Sequence, residues 1–349
     1  MRSFSPLALL LATGLGHVEA VRYLGRVNPA TRELTWPGTG VSFTFTGSSA
    51  KIALDGVTGS PSIELRVDGK ATVINNVSGS SISTPAGLAY GNHTVSIRKR
   101  SEAYFGSIFV GSVTTDGTLG PDVYSQRKIQ VIGDSITVGY GLDGVLPCTN
   151  TADLEDNPNT YAALAAESLK ADVDILAWSG IGLIRNYVSP GDTSPNMQDR
   201  WTRYGAQDAP NSYTFPARDT PNAVVINLGT NDFSYQAGVR GPLNSTDYTN
   251  QMATFVQKIQ SRYPKAVFFL LTSPMLNDGY PSAAEAQKTT QTNALNAAIK
   301  KLGPKTQAYL VDWPSQTQEN LGCDYHPNKA TNKAQAVVLA NAIAKVLKW

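Results

Sequence analysis

Ser135 lies in Gly133-Asp134-Ser135, directly after the apolar run Ile129-Gln130-Val131-Ile132, and His326 lies near the other end of the chain in Cys323-Asp324-Tyr325-His326-Pro327. The chain has only three histidines. His17 falls in an N-terminal stretch that reads as a leader, and His93 falls in a β-rich region, so the C-terminal two thirds offers one serine at a strand-to-helix turn and one imidazole. A serine hydroxyl is a weak nucleophile until a neighbouring base takes its proton, and an imidazole with an ordinary pKa of about 6.5 is suited to do so. The pair predicts hydrolysis through a covalent ester intermediate, provided folding brings the two groups together.

The elements that must bring them together are legible in outline. The chain has 349 residues, enough for two domains. Its net charge is +2, from 29 basic and 27 acidic residues with no long run of either sign, so neither a nucleic-acid nor an anionic-membrane partner is expected. Arg2, the apolar Leu7 to Leu15 and Val18-Glu19-Ala20 read as a signal peptide over residues 1–20, giving a secreted protein that begins at Val21. Sequons at Asn76, Asn92 and Asn244 fit a secreted glycoprotein. Cys148 and Cys323 are the only cysteines, and an oxidising compartment would pair them, the alternative being two separate buried thiols. Two cysteines and one distant histidine do not have zinc-site spacing, and neither metal nor cofactor is expected.

Residues 21–118 alternate apolar and polar positions, as in Val41-Ser42-Phe43-Thr44-Phe45-Thr46, with turn signals at Asp55-Gly56, Asp68-Gly69 and Asp116-Gly117. This pattern predicts a small all-β sandwich or jelly roll, followed by a linker over 119–126. From 127 to 349 strands and helices alternate. Strands are expected at Ile129–Ile132, Val173–Ala177, Ala223–Leu228, Val267–Leu271 and Tyr309–Val311, and helices around Ala162–Leu169, Tyr248–Ile259, Ala283–Leu302 and Ala336–Leu347. Such alternation predicts an α/β domain, a mostly parallel sheet between helical layers with its site at the carboxyl ends of the strands.

Four blocks follow those strands in order: Gly133-Asp134-Ser135-Ile136, Ser179-Gly180-Ile181-Gly182, Gly229-Thr230-Asn231-Asp232 and His326-Pro327-Asn328. Together they resemble the SGNH (GDSL) hydrolases. The longer run from Gly133 to Gly141, with a β-rich domain in front, is similar to carbohydrate esterase family 2. The resemblance implies an SGNH-type three-layer α/β/α domain. It implies an oxyanion hole formed by the N–H of Ser135, the N–H of Gly182 (with Gly180 two residues earlier as the other glycine of its block) and the side-chain amide of Asn231. Asp134 and Asp232 read as loop-structuring. Many SGNH members carry Asp-x-x-His, but position 323 is Cys here, so Asp324 becomes the candidate acid for orienting His326; the family also includes Ser–His pairs aided by a backbone carbonyl.

The expected activity is that of an acetyl xylan esterase-like carbohydrate O-deacetylase acting on acetylated polysaccharide or oligosaccharide as a monomer. A GDSL lipase or thioesterase, or a carbohydrate-binding protein with a vestigial site, are the alternatives. Trp178, Trp201, Tyr204, Tyr213, Phe215, Tyr280 and Trp313 fall in or near loops on the active side, where ring faces can stack on sugars, and Arg185-Asn186 lies next to the second block.

Overall fold

The computed structural model describes residues 18–187, 193–235 and 240–349. Most of the expected leader, residues 1–17, lies outside them.

Among the described residues, twelve strands precede the second domain: β1 (Val18–Glu19), β2 (Val21–Leu24), β3 (Glu33–Leu34), β4 (Gly40–Gly47), β5 (Ala50–Val57), β6 (Ile63–Val67), β7 (Lys70–Ile74), β8 (Ser81–Ser83), β9 (Gly91–Lys99), β10 (Ile108–Thr115), β11 (Thr118–Leu119) and β12 (Asp122–Val123). One sheet has the order β11-β4-β9-β6-β7, with β2 also on β4, and the other β3-β10-β5-β8. All their pairings are antiparallel. The alternating residues Val41, Phe43 and Phe45 of β4 meet Ile52 and Leu54 of β5 and Val110 of β10 in one buried cluster, the core of a sandwich. Pairing continues past residue 118, since Thr118–Leu119 joins β4 and Asp122–Val123 joins β1. Asp68-Gly69 does turn the chain between β6 and β7, but Asp55-Gly56 lies inside β5, where the register against β10 shifts between Phe109 and Val110. A bulge admits a residue pair that otherwise signals a hairpin turn.

The second domain has a five-stranded parallel sheet, β13 (Lys128–Gly133), β14 (Asp172–Ala177), β15 (Ala223–Asn227), β16 (Val267–Leu271) and β17 (Ala308–Val311), in the order β14-β13-β15-β16-β17. Both faces of the central strands β15 and β16 are covered, so these two are apolar at almost every position. On one face Ile132, Ile226 and Leu270 pack with Tyr248, Phe255 and Leu295 of helices α5 (Ser245–Arg262) and α6 (Gln287–Leu302). On the other, Val131, Val225 and Phe269 pack with Tyr161, Ala165 and Leu339 of α2 (Tyr161–Ser168) and α7 (Lys329–Leu347). Helix α6 starts four residues later than its apolar pattern suggests, because Ala286 takes a left-handed φ of 40°. Three one-turn helices complete the domain: α1 (Ser135–Val138), α3 (Met197–Arg200) and α4 (Thr230–Phe233). Strand β13 is the first in sequence and has β14 on one side and β15 on the other. The crevice at its carboxyl end is the topological switch point where open α/β sheets bind ligands.

The domains share packing. Trp36 and Ala103 of the sandwich are buried in the α5/α6-side core of the sheet, and the Trp36 indole N–H donates to the Tyr204 carbonyl at 2.7 Å.

Candidate active site

Register explains why three of the four blocks meet. Gly133 pairs with Ala177 on one side and Asn227 on the other, so the chain leaves three adjacent strands at one level. Ser135, Gly180 and Asn231 follow within two to four residues of those ends. Ser135 opens α1, whose four residues are all buried, and Asp134 caps it by accepting the Ile136 N–H at 3.1 Å. Burial pushes the Asp134 carboxyl up to about 7, opposed by the Ile136 bond.

His326 arrives from the loop before α7. Its Nε2 lies 2.8 Å from Ser135 Oγ and its Nδ1 lies 3.1 Å from the main-chain carbonyl oxygen of Asp324. A carbonyl only accepts, so Nδ1 carries the hydrogen and Nε2 presents its lone pair to the serine hydroxyl. The ring is half-buried, and its desolvation lowers its pKa to about 4, with the Asp324 carbonyl opposing. It is therefore neutral, in its proton-accepting form, at neutral pH.

The Asp324 carboxylate does not orient the ring. Asp324 and Tyr325 have left-handed φ values of 48° and 62°. This corner turns the Asp324 carbonyl towards His326 and its side chain away, where Oδ2 accepts from the Tyr140 hydroxyl at 3.0 Å and the Asn150 N–H at 3.1 Å. Tyr140 also lies against the imidazole, with ring centroids 4.2 Å apart and planes 31° apart. Sequence reasoning gave Tyr140 no role of its own; its signal is its place in the Gly133–Gly141 run, five residues after the serine.

A disulfide joins Cys148 and Cys323. Around it, the Cys323 N–H donates to the Gly141 carbonyl and the Asp324 N–H to the Cys148 carbonyl, each at 3.1 Å. The loop that carries His326 is thus sewn to the loop that follows Ser135.

The second block differs in detail from expectation. The Gly182 N–H donates to Asn186 Oδ1 at 3.0 Å, so it is already engaged. Gly182 is required by packing: a Cβ there would stand 2.2 Å from the Arg185 carbonyl oxygen. Gly180 has a left-handed φ of 76°, and its N–H has no partner among the described residues. Asp232 shapes this loop by accepting the N–H groups of Leu183, Ile184 and Arg185 at 2.9, 2.8 and 3.1 Å. Asn231 Nδ2 donates to the Ile181 carbonyl at 3.0 Å, and its other contact, Asp134 Oδ2, is long at 3.4 Å. Arg185 donates from Nε to the Asp232 carbonyl at 2.6 Å, and Asn186 is spent on Gly182, so both build the loop.

The aromatic candidates also divide. Trp201, Tyr213 and Trp313 are buried, and Trp178 and Phe215 pack against the core. Tyr280 is exposed, as are Tyr104, Tyr187, Tyr235 and Tyr325. His93 is bound to Asp68 in the sandwich, 2.7 Å from Nδ1 to Oδ2.

Ser135 at the start of a one-turn helix and His326 on the loop before α7 thus meet at the switch point of a parallel α/β sheet, an arrangement of the kind found in ester hydrolases. Residues 131–334 match the GDSL-like lipase/acylhydrolase family, and residues 23–121 match the carbohydrate esterase 2 N-terminal family. A Corynascus thermopiles (Myceliophthora fergusii) carbohydrate esterase family 2 enzyme plus carbohydrate binding domain superposes with a TM-score of 0.91 at 60% identity, over 94% of this chain and 100% of that one. The cellulase/esterase CelE of Acetivibrio thermocellus is 30% identical over 94% of this chain, which spans 40% of that relative's length. An acetylxylan esterase / glucomannan deacetylase of Cellvibrio japonicus is 30% identical over 89% of this chain and 85% of its own length. The chain belongs to the GDSL-like acylhydrolases and, within them, to carbohydrate esterase family 2, a family of ester hydrolases.

Proposed function

We propose that the protein is a secreted carbohydrate O-acetyl esterase that removes acetyl groups from plant polysaccharides of the xylan or glucomannan type. The observation that carries this reading is the 2.8 Å contact of His326 Nε2 with Ser135 Oγ, with Nδ1 held by a carbonyl. His326 takes the serine proton as Oγ attacks the acetyl carbonyl carbon. The negative oxygen of the tetrahedral intermediate is received by the N–H of Ser135, the N–H of Gly180 in place of Gly182, and the amide of Asn231. His326 then protonates the sugar oxygen as its bond to the acetyl carbon breaks. Water, deprotonated by the same imidazole, attacks the acetyl-serine, and collapse releases acetate and returns the proton to Ser135.

The substrate class rests on the names of the relatives, two of which act on acetylated or cellulosic polymers by name. Exposed Tyr187 and Tyr325, at the end of the glycine loop and next to the base, supply ring faces of the kind that pack on sugars. Secretion rests on the leader pattern at residues 1–20 and on the disulfide. Asn76, Asn92 and Asn244 are all exposed and therefore reachable for glycosylation.

The test is acetate release from acetylated xylan and glucomannan by the purified chain, beside p-nitrophenyl esters of increasing acyl length. Ser135→Ala or His326→Ala should lower kcat by about 10⁴- to 10⁶-fold. Near-normal turnover in either variant removes that residue from the mechanism. Preference for long acyl chains favours a lipase, and polymer binding with no acetate released favours a binding protein.

A further inference from the structure

We propose that Glu102, which belongs to the β-sandwich domain, is a positioning residue for ester hydrolysis: its carboxylate holds the Ser179 N–H and so aims the neighbouring Gly180 N–H into the oxyanion hole. The inference rests on the acyl-enzyme reading above.

The Ser179–Gly180 peptide that carries this N–H is anchored on both sides. Before it, the Ser179 N–H donates to Glu102 Oε2 at 2.8 Å. After it, the Gly180 carbonyl accepts the Tyr187 N–H at 2.6 Å. The second anchor is local, but the first comes from the other domain, 77 residues earlier.

Glu102 is also fixed from behind. Its own N–H donates to Glu155 Oε2 at 2.6 Å, and Glu155 Oε1 accepts from Asn150 Nδ2 at 2.9 Å. Asn150 accepts the Gly141 N–H at 2.7 Å and donates its main-chain N–H to the Asp324 carboxylate. One chain of hydrogen bonds therefore runs from the oxyanion loop, through the sandwich residue, to the corner whose carbonyl orients His326.

Glu102, Glu155 and Lys99 are all buried, at 3%, 0% and 0% exposure. The Lys99 ammonium is held by the carbonyls of Ser101 and Glu102 at 2.6 and 2.8 Å. Burial pushes both carboxyls up, Glu155 well above the usual range, and Lys99 down to about 7. These three groups are removed from water, and their hydrogen bonds converge on Glu102, whose carboxylate holds the loop beside Ser135.

The experiment uses the full chain and two readouts: steady-state hydrolysis of an acetyl ester, and binding of phenylboronic acid, whose tetrahedral adduct on Ser135 imitates the intermediate. Glu102→Ala should lower kcat by about 100-fold, with KM within about threefold of wild type, and weaken boronate binding by a similar factor. Glu102→Gln, which keeps an acceptor oxygen of the same reach, should recover at least about a tenth of wild-type kcat. Should alanine prevent folding, Glu102→Asp, one methylene shorter, is read by the same criteria. A folded Glu102→Ala protein with kcat within about threefold of wild type overturns the proposal, as does a loss of kcat with boronate binding unchanged. Full activity in Ser135→Ala is a separate result: it sinks the acyl-enzyme reading itself, and this inference with it.

Discussion

Asp324 contributes its main chain to the base and its carboxylate to scaffolding. Where a carboxylate holds the imidazole, replacing it by an amide costs about 10⁴-fold in kcat. Here Asp324→Asn leaves the carbonyl on Nδ1 and an acceptor oxygen for Tyr140 and Asn150, so kcat should fall by less than about tenfold. Steady-state kinetics against His326→Ala decides it, and equal losses would assign the carboxylate a part in the chemistry. The desolvated imidazole makes a second prediction. In the proposed mechanism neutral His326 is the active form, and burial lowers its pKa to about 4. A plot of kcat/KM against pH should therefore stay level down to about pH 5 and fall below it; a fall centred near the ordinary value of about 6.5 would contradict this environment. Because the folded value lies below the unfolded one, the same group withdraws stability as pH drops from about 6.5 towards about 4. Ser135 and Asn231 stood out because each lies in a short block just after an apolar strand run, and His326 because it is the one histidine of residues 127–349. Gly180 and Gly182 were not separable, since both are glycine for different reasons, one a left-handed φ and the other a close carbonyl.

At the scale of elements, the site is two loops fastened together. Residues 139–150 and 321–328 are joined by the disulfide, two main-chain bonds and the Asp324 carboxylate. The bond spans 175 residues, and its loss should cost about 2 to 4 kcal/mol of stability. Thermal melts with and without reductant, or of the Cys148→Ala, Cys323→Ala double variant, measure this. Activity should fall by about tenfold at temperatures where the variant is still folded, because the His326 loop loses its tether. Unchanged kcat would show that the hydrogen bonds alone hold the corner. The central strands β15 and β16 were read closely because burial on both faces writes them as apolar runs. The start of α6 and the bulge at Asp55-Gly56 were not, since a left-handed Ala286 and a register shift leave no periodic trace.

At the scale of the molecule, the sandwich and the hydrolase domain are one packing unit. Trp36 is fully buried in the core of the second domain, and Arg26 reaches across to the Trp201 and Arg203 carbonyls at 2.5 and 3.0 Å. The whole chain should unfold in one calorimetric transition. Trp36→Ala should destabilise it by about 3 to 5 kcal/mol, against two separate transitions if the domains were independent. None of this interface was legible, because Trp36, Ala103 and Glu102 sit in segments whose own pattern belongs to the sandwich, and nothing local marks a side chain that packs on another domain.

The base lies 191 residues after the nucleophile, just before the final helix. During synthesis the ribosome releases the serine long before its partner exists. A chain interrupted before residue 326 carries the Ser135 hydroxyl without the imidazole that stands 2.8 Å from it in the folded protein.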